Sequence, residues 1–132
     1  MVETVRGHTM GRVYWTGSAS PDTGLPDGDP RRVLRAPADG ILNEYAQIGD
    51  HVKGGQLIAE VGGEKVIAPF GGVLRGLIRP GVAIPKGMKI GDIDQSDKPE
   101  YCYLVSDKAL AVAGGVLEAL MSKPEIRAQL LE

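Results

Sequence analysis

The chain of 132 residues is long enough for one domain with a real hydrophobic core and an appended element. Its net charge of −2 gives no electrostatic attraction to nucleic acid or to an anionic membrane surface. The single cysteine excludes an internal disulfide and no apolar run reaches the roughly 18 residues of a membrane span, so we expect a cytoplasmic protein.

The amino-terminal segment, residues 1–32, is polar and rich in turn-forming residues. Residues 12–16 have the β-branched and aromatic composition of a strand, and residues 18–30 are a run of turn formers. Long ordered loops in compact domains often have a function. We therefore expect residues 1–32 to form a strand and an ordered loop that packs on the domain that follows.

A stretch at residues 36–61 returns 32 positions later at residues 68–93. Seven of the 26 aligned positions are identical, where ordinary residue usage would give about two. Each copy contains prolines and glycines that fit strand starts, bends and tight turns, so each predicts three short strands. We expect a mainly β domain over residues 33–105, with pseudo-twofold symmetry. Its shared core is predicted to contain Ile41, Val52, Ile58, Val61, Val73, Ile84, Ile90 and Ile93.

The spacing within the repeats resembles that of the biotinyl/lipoyl-type barrel-sandwich hybrids. The residues that carry this resemblance are Ala36-Pro37-x-x-Gly40, Gly49-Asp50-x-Val52-x-x-Gly55-x-x-Ile58 and Ala68-Pro69-x-x-Gly72. Members of that family fold as two quasi-symmetric four-stranded halves and present a modified lysine on a hairpin tip. The resemblance implies a barrel-sandwich hybrid over residues 33–105.

The carboxy-terminal segment, residues 106–132, is predicted to be helical. Before this segment, aromatic and smaller residues alternate over residues 101–105, which predicts a last strand. Ser106 is a good N-cap for a helix that ends near Met121, and Pro124 begins a short second helix that includes Leu131. Gly114 and Gly115 each weaken the first helix by about 1 kcal/mol relative to Ala. We therefore expect the glycine face to pack closely against the sheet or a partner.

Both ends of the chain also resemble the carboxy-terminal half of the selenium-dependent molybdenum hydroxylase accessory proteins of the YqeB type. The matching motifs are Arg6-Gly7-His8-x-x-Gly11-Arg12-Val13, Gly17-x-Ala19-x-Pro21-x-Thr23-Gly24-x-Pro26, Arg32-Val33-Leu34-Arg35, Leu74-Arg75-Gly76-Leu77-Ile78, Lys86-Gly87-Met88-Lys89-Ile90-Gly91-Asp92-Ile93-Asp94, Tyr101-Cys102-x-x-x-Ser106-Asp107-Lys108-Ala109 and Gly114-Gly115-Val116-Leu117-Glu118-Ala119. The resemblance implies a role in maturation or support of molybdenum hydroxylases. It would make the hydroxylase, or its maturation proteins, the partners.

Members of that family also have an amino-terminal nucleotide-fold-like region with a Gly-rich turn, and this sequence does not contain one. The chain is therefore interpreted either as a fragment or as a stand-alone version of the second half.

Three basic residues near the amino terminus, Arg6, His8 and Arg12, are candidates for an anion site. Guanidinium groups bind oxyanions with two parallel hydrogen bonds, and one candidate anion is a phosphate of the molybdenum cofactor. The alternative is that the arginines bond loop carbonyls and have a structural role. Two histidines and one cysteine give no cluster with the spacing of a metal site.

Lys65 and Cys102 are candidates that we disfavour. Lys65 lies near the place where carrier domains hold their modified lysine, but only two residues separate it from the next Ala-Pro. A solvent-facing hairpin lysine is the favoured interpretation. Cys102 is a candidate thiol for redox or sulfur chemistry, although a lone strand cysteine is more often a small buried hydrophobe.

Three functions follow from the sequence. The favoured one is a non-catalytic accessory or scaffold domain that binds a partner protein or a cofactor and holds no cofactor covalently. The alternatives are a lipoyl- or biotin-like carrier modified at Lys65, and a fragment of an enzyme whose catalytic half is elsewhere. A homo-oligomer is compatible with each of them.

Overall fold

The computed structural model describes residues 1–21 and 28–130. The chain divides into two compact units: Gly28–Leu104, and a unit that joins Met1–Asp27 to Val105–Glu132. The described structure is mainly β, with two antiparallel sheets followed by carboxy-terminal helices. None of its described helices is both long and apolar enough to cross a membrane. The motif residues Thr23, Gly24 and Pro26 and the predicted helix residue Leu131 lie outside the described residues.

The Gly28–Leu104 unit contains two four-stranded sheets, with strand orders β1-β8-β6-β3 and β5-β4-β2-β7. Every pairing is antiparallel. The strands are β1 (Val33–Arg35), β2 (Gly40–Glu44), β3 (His51–Val52), β4 (Leu57–Val61), β5 (Glu64–Ile67), β6 (Gly72–Leu77), β7 (Ala83–Ile84) and β8 (Lys89–Asp94).

The two sequence repeats exchange strands between the sheets. In the first repeat β2 pairs with its own β4 and with β7 of the second repeat. In the second repeat β6 pairs with its own β8 and with β3 of the first repeat. Residues 32 positions apart have matching partners, since Gly40 pairs with Ile84 as Gly72 pairs with Val52. Each sheet is therefore completed by a strand of the other repeat.

Glycines at the start of β2 and β6 let backbones approach closely. A Cβ on Gly40 would collide with the backbone of Gly62, and a Cβ on Gly72 would collide with the carbonyl oxygen of Asp94. A side chain at either position would force the strand away from its neighbour.

The core of this unit draws side chains from both sheets, and seven of the eight predicted core residues are buried, with Val73 outside the main core cluster. The prediction is wrong for Ile41, which is 47% exposed. Its neighbour Leu42 pairs with Val61 and is fully buried. Because side chains alternate along a strand, Ile41 lies on the opposite, outer face.

The predicted strand at residues 101–105 is also wrong. Pro99–Tyr103 forms a 3-10 helix instead. Pro99 begins it, which suits a residue with fixed φ and no N–H, and the Tyr101 N–H donates to the Lys98 carbonyl at 3.0 Å. The alternation of aromatic and small residues here comes from a helical turn that packs on β6.

In the other unit, the amino-terminal segment forms a loop closed by backbone hydrogen bonds. The Glu3 N–H donates to the Arg12 carbonyl and the Gly11 N–H donates to the Glu3 carbonyl, each at 2.9 Å. The strand predicted at residues 12–16 is reduced to an isolated bridge between Val2 and Val13.

The carboxy-terminal helices confirm the sequence prediction. They are α1 (Asp107–Met121) and α2 (Pro124–Leu130). The Ser106 hydroxyl caps α1 by accepting a hydrogen bond from the Ala109 N–H at 3.1 Å. Pro124 is the first residue of α2.

Candidate functional site

Glu3 is the buried charged residue of the amino-terminal loop. Its carboxylate accepts hydrogen bonds from the N–H groups of Thr4, Val5 and Ser20 at 2.9–3.0 Å and from the Ser20 hydroxyl at 2.8 Å. These bonds, led by the one from the Val5 N–H, lower the pKa of Glu3 from 4.5 to about 2. The carboxylate therefore ties the start of the loop to its end. Sequence reasoning missed it, because a glutamate at position 3 carries no local signal of burial.

Of the three predicted anion-site residues, Arg6 pairs with a carboxylate of the same unit. Its guanidinium donates two hydrogen bonds to Asp107 in the first turn of α1, one of them at 2.9 Å. The hydrogen bond from Arg6 is the largest cause that lowers the pKa of Asp107 to about 2. His8 and Arg12 are exposed, and no side chain among the described residues bonds to theirs. The contacts thus place Arg6 at α1 and leave His8 and Arg12 accessible to solvent.

Lys65 lies on the return strand of a β-hairpin, as predicted. Gly62 and Gly63 form the two-residue turn with φ of 61° and 85°, which fits a type I′ turn. Lys65 is the second residue of β5, is exposed and pairs with Glu60 on β4. The lysine is therefore beside the sheet, two residues away from the turn.

Cys102 lies in the 3-10 helix and is half-buried. Its Sγ is 3.8 Å from the carbonyl oxygen of Leu74 on β6, a contact typical of a weak thiol donor. This placement fits a packing role.

A polar cleft of about 160 Å³ lies in the Gly28–Leu104 unit. Its lining residues are Gly28, Asp29, Arg32, Phe70, Ile93, Asp94 and Gln95. Arg32 donates to Asp92 at 2.8 and 2.9 Å, and Arg75 donates to Asp94 at 3.1 Å. Burial raises the pKa of Asp94, but hydrogen bonds from Ser96 and Arg75 outweigh it and the pKa is lowered. Each carboxylate of this network already has a basic partner.

No group of three or more His, Cys, Asp or Glu side chains within residues 1–21 and 28–130 is arranged to hold a metal ion.

Two apolar surfaces are the remaining candidates, one in each unit. In the Gly28–Leu104 unit, Ile41 and Ala83 pair on the outer face of the β5-β4-β2-β7 sheet and are both exposed. In the other unit, α1 presents large apolar side chains to solvent, among them Leu110 and Leu117. Sequence reasoning missed both surfaces, because the spacing of apolar residues shows which of them share a face and does not show which face is covered.

Comparisons with known proteins give one strong similarity. No protein-family model matches the chain. The chain is 46% identical over 125 residues to the uncharacterized protein YqeB of Escherichia coli (strain K12), which covers 92% of this chain and 23% of that protein. The chain thus spans less than a quarter of the length of this relative.

A crystal structure of an aspartoacylase family protein from Mesorhizobium loti has a TM-score of 0.44 and 15% identity, over 53% of this chain and 27% of that one. This similarity is too weak to assign a fold or an activity. The similarity to YqeB, in contrast, extends over 92% of the chain at 46% identity.

Proposed function

We propose that this chain is a non-catalytic accessory or scaffold domain that supports the maturation of molybdenum hydroxylases, selenium-dependent ones included, by binding a partner protein. The motifs that resemble the accessory family run from Arg6 to Ala119, and the similarity to YqeB covers 92% of the chain. The partner in this proposal is a molybdenum hydroxylase or one of its maturation proteins.

The same proposal includes a barrel-sandwich hybrid with pseudo-twofold symmetry for the Gly28–Leu104 unit. Its support is the matching register of the repeats. Leu42 pairs with Val61 as Leu74 pairs with Ile93, and all four are fully buried. A twofold rotation that superposes the repeats would reproduce these pairings.

The main support for the binding role is a difference between the outer faces of the two repeats. Ile41 and Ala83 pair on β2 and β7, and the corresponding residues Val73 and His51 pair on β6 and β3. Val73 is only 1% exposed, and the Pro99–Tyr103 helix packs on the same strand, β6. Ile41 is 47% exposed, so this apolar side chain is open to solvent where its counterpart Val73 is buried.

The covered repeat indicates what kind of segment fits the open one. The Pro99–Tyr103 helix is a single short turn whose Cys102 side chain contacts the backbone of β6. Tyr45, which follows β2, is exposed and its hydroxyl donates to Glu60 on β4 at 3.0 Å, which adds polar groups to this sheet. We therefore expect the partner to contribute a short segment with an apolar residue at its centre.

The test is the affinity of the full chain for the molybdenum hydroxylase of the same organism, measured by isothermal titration calorimetry. Ile41→Glu places a charge at the centre of the surface and should weaken binding at least tenfold. Ile48→Glu is the matched control, because Ile48 is 44% exposed but lies in the turn after β2. The proposal fails if Ile41→Glu binds as tightly as the wild type, or if the wild type does not bind.

Contact with the cofactor is a separate part of the proposal. His8 and Arg12 are exposed donors on one short loop, and a phosphate group is the anion that suits them. Chemical-shift titration with inorganic phosphate should move the resonances of this loop in the wild type and not in Arg12→Ala. Equal chemical-shift changes in both proteins would show that Arg12 does not form an anion site.

A further inference from the structure

We propose that α1 is a homodimer interface, in which the outward stripes of two copies pack antiparallel across a twofold axis. The stripe consists of Leu110, Ala113, Gly114, Leu117 and Met121, which recur every three or four residues and so share one face of the helix. This surface is in a different unit from Ile41 and does not depend on the proposed function.

The inward face of the helix is formed by small residues, whereas its leucines are exposed. The inward face contains Ala111, Gly115 and Ala119, and Gly115 is the buried residue of the helix. It packs on the amino-terminal loop at Gly11, where a Cβ on residue 115 would collide with the carbonyl oxygen. Leu110 and Leu117, on the outward face, are 62% and 59% exposed. An ordinary surface helix has the reverse arrangement, so a second surface is needed to cover this face.

The covering surface must itself be apolar. Residues 109–117 contain no charged side chain, and the first charges beyond them are Lys108 and Glu118. A charged partner surface would have to be desolvated against this stripe without compensation. An uncharged stripe is the complement of another uncharged stripe.

A second copy fits because the stripe is symmetric about its centre. Leu110 and Leu117 are equally far from the midpoint between Ala113 and Gly114. In an antiparallel twofold pair, Leu110 of one copy would meet Leu117 of the other, and the two small residues would lie at the crossing. Nothing lies within 4 Å of the position of a Cβ on Gly114, so this approach is open. The two Glu118 carboxylates lie at opposite ends of such a pair, whereas a parallel pair would bring them together.

The size of the stripe sets the expected affinity. A helix of 15 residues is about 22 Å long, so the contact is at the small end of specific interfaces. We therefore expect a reversible dimer in the micromolar range, visible only when concentration is varied.

The test is sedimentation equilibrium of the full chain over a wide concentration range. The wild type should shift from monomer to dimer, and Leu117→Asp should stay monomeric. Leu130→Asp is the matched control, because Leu130 is 57% exposed but lies on α2, outside the stripe. Circular dichroism of each variant checks that the helices are folded.

A cross-linking experiment tests the geometry independently. In a Cys102→Ser background, Gly114→Cys should form a disulfide-linked dimer under mild oxidation, since the two copies of residue 114 lie at the crossing. Met121→Cys should not cross-link with itself, because Met121 lies on the stripe near the end of the helix and antiparallel packing separates the two copies. A wild type that is monomeric at every concentration, a dimer that survives Leu117→Asp, or cross-linking at 121 in place of 114 would overturn the proposal.

Discussion

Glu3 shows how a single side chain organises the amino-terminal loop. Four hydrogen bonds reach its carboxylate, two of them from Ser20, seventeen residues along the chain. All four favour the charged form, which is why the pKa is lowered to about 2. The loop is therefore held by a carboxylate that must be ionised.

We predict that the stability of this unit depends on pH through Glu3. The folded-state pKa of about 2 is below the ordinary 4.5, so the stabilisation is fully present above pH 4.5 and is lost as the pH falls through 2. Glu3→Gln cannot accept all four bonds and should lower the urea midpoint at neutral pH, with the difference from wild type shrinking below pH 4.5. Trp15, the single tryptophan, lies in the same unit and reports its unfolding by fluorescence. Glu118→Gln is the exposed control, and a pH-independent difference for Glu3→Gln would contradict the prediction.

At the scale of single residues we also predict that Lys65 is not covalently modified. A carrier lysine has to swing freely from the end of a hairpin, and here the turn belongs to Gly62 and Gly63. Intact-mass measurement of protein from the native host should give the mass of the unmodified chain. A lipoyl- or biotinyl-sized increase that disappears in Lys65→Arg would establish the carrier function instead.

Among the elements, α1 contains two adjacent glycines with opposite surroundings. Gly115 faces the backbone of Gly11, and a Cβ there would also lie 2.8 Å from Cγ1 of Val2. Gly114 faces open space. The sequence predicted a packed glycine face, and the structure assigns the packing to Gly115 alone.

We therefore predict opposite effects for two substitutions that add the same methyl group. Gly115→Ala should destabilise the unit by about 1–3 kcal/mol through overpacking. Gly114→Ala should stabilise it by up to about 1 kcal/mol, since alanine has the higher helix propensity. The measurement is urea unfolding followed by Trp15 fluorescence at low protein concentration, where helix pairing does not contribute. Equal changes in both variants would mean that the contact between Gly115 and the loop is absent.

The elements that sequence reasoning found are those with a local signal. Ser106 and Pro124 mark helix starts through capping and a missing N–H. The errors arose where tertiary packing decides. Residues 101–105 alternate like a strand, yet Pro99 begins a helical turn that covers β6. The side chain of Ile41 is apolar, yet its strand position directs it outward.

At the scale of the Gly28–Leu104 unit, the repeat in the sequence predicted which strands correspond to each other. An offset of 32 residues matches β2 to β6, β3 to β7 and β4 to β8. The exchange of β3 and β7 between sheets was not predictable, because a repeat shows which segments are alike and does not show which of them pair. This exchange makes the two repeats depend on each other.

The last prediction follows from that exchange. If a protease site is inserted between Gly62 and Gly63 and the folded protein is cut there, the two fragments should stay associated. Each contains a strand that the other's sheet requires, β3 beside β6 and β7 beside β2. Size-exclusion chromatography of the cut chain should therefore give one folded species, and the fragments should separate only in denaturant. Each fragment alone should be unfolded by circular dichroism, because it keeps too few paired strands to bury an apolar face. A fragment that folds by itself would show that each repeat completes its own sheet.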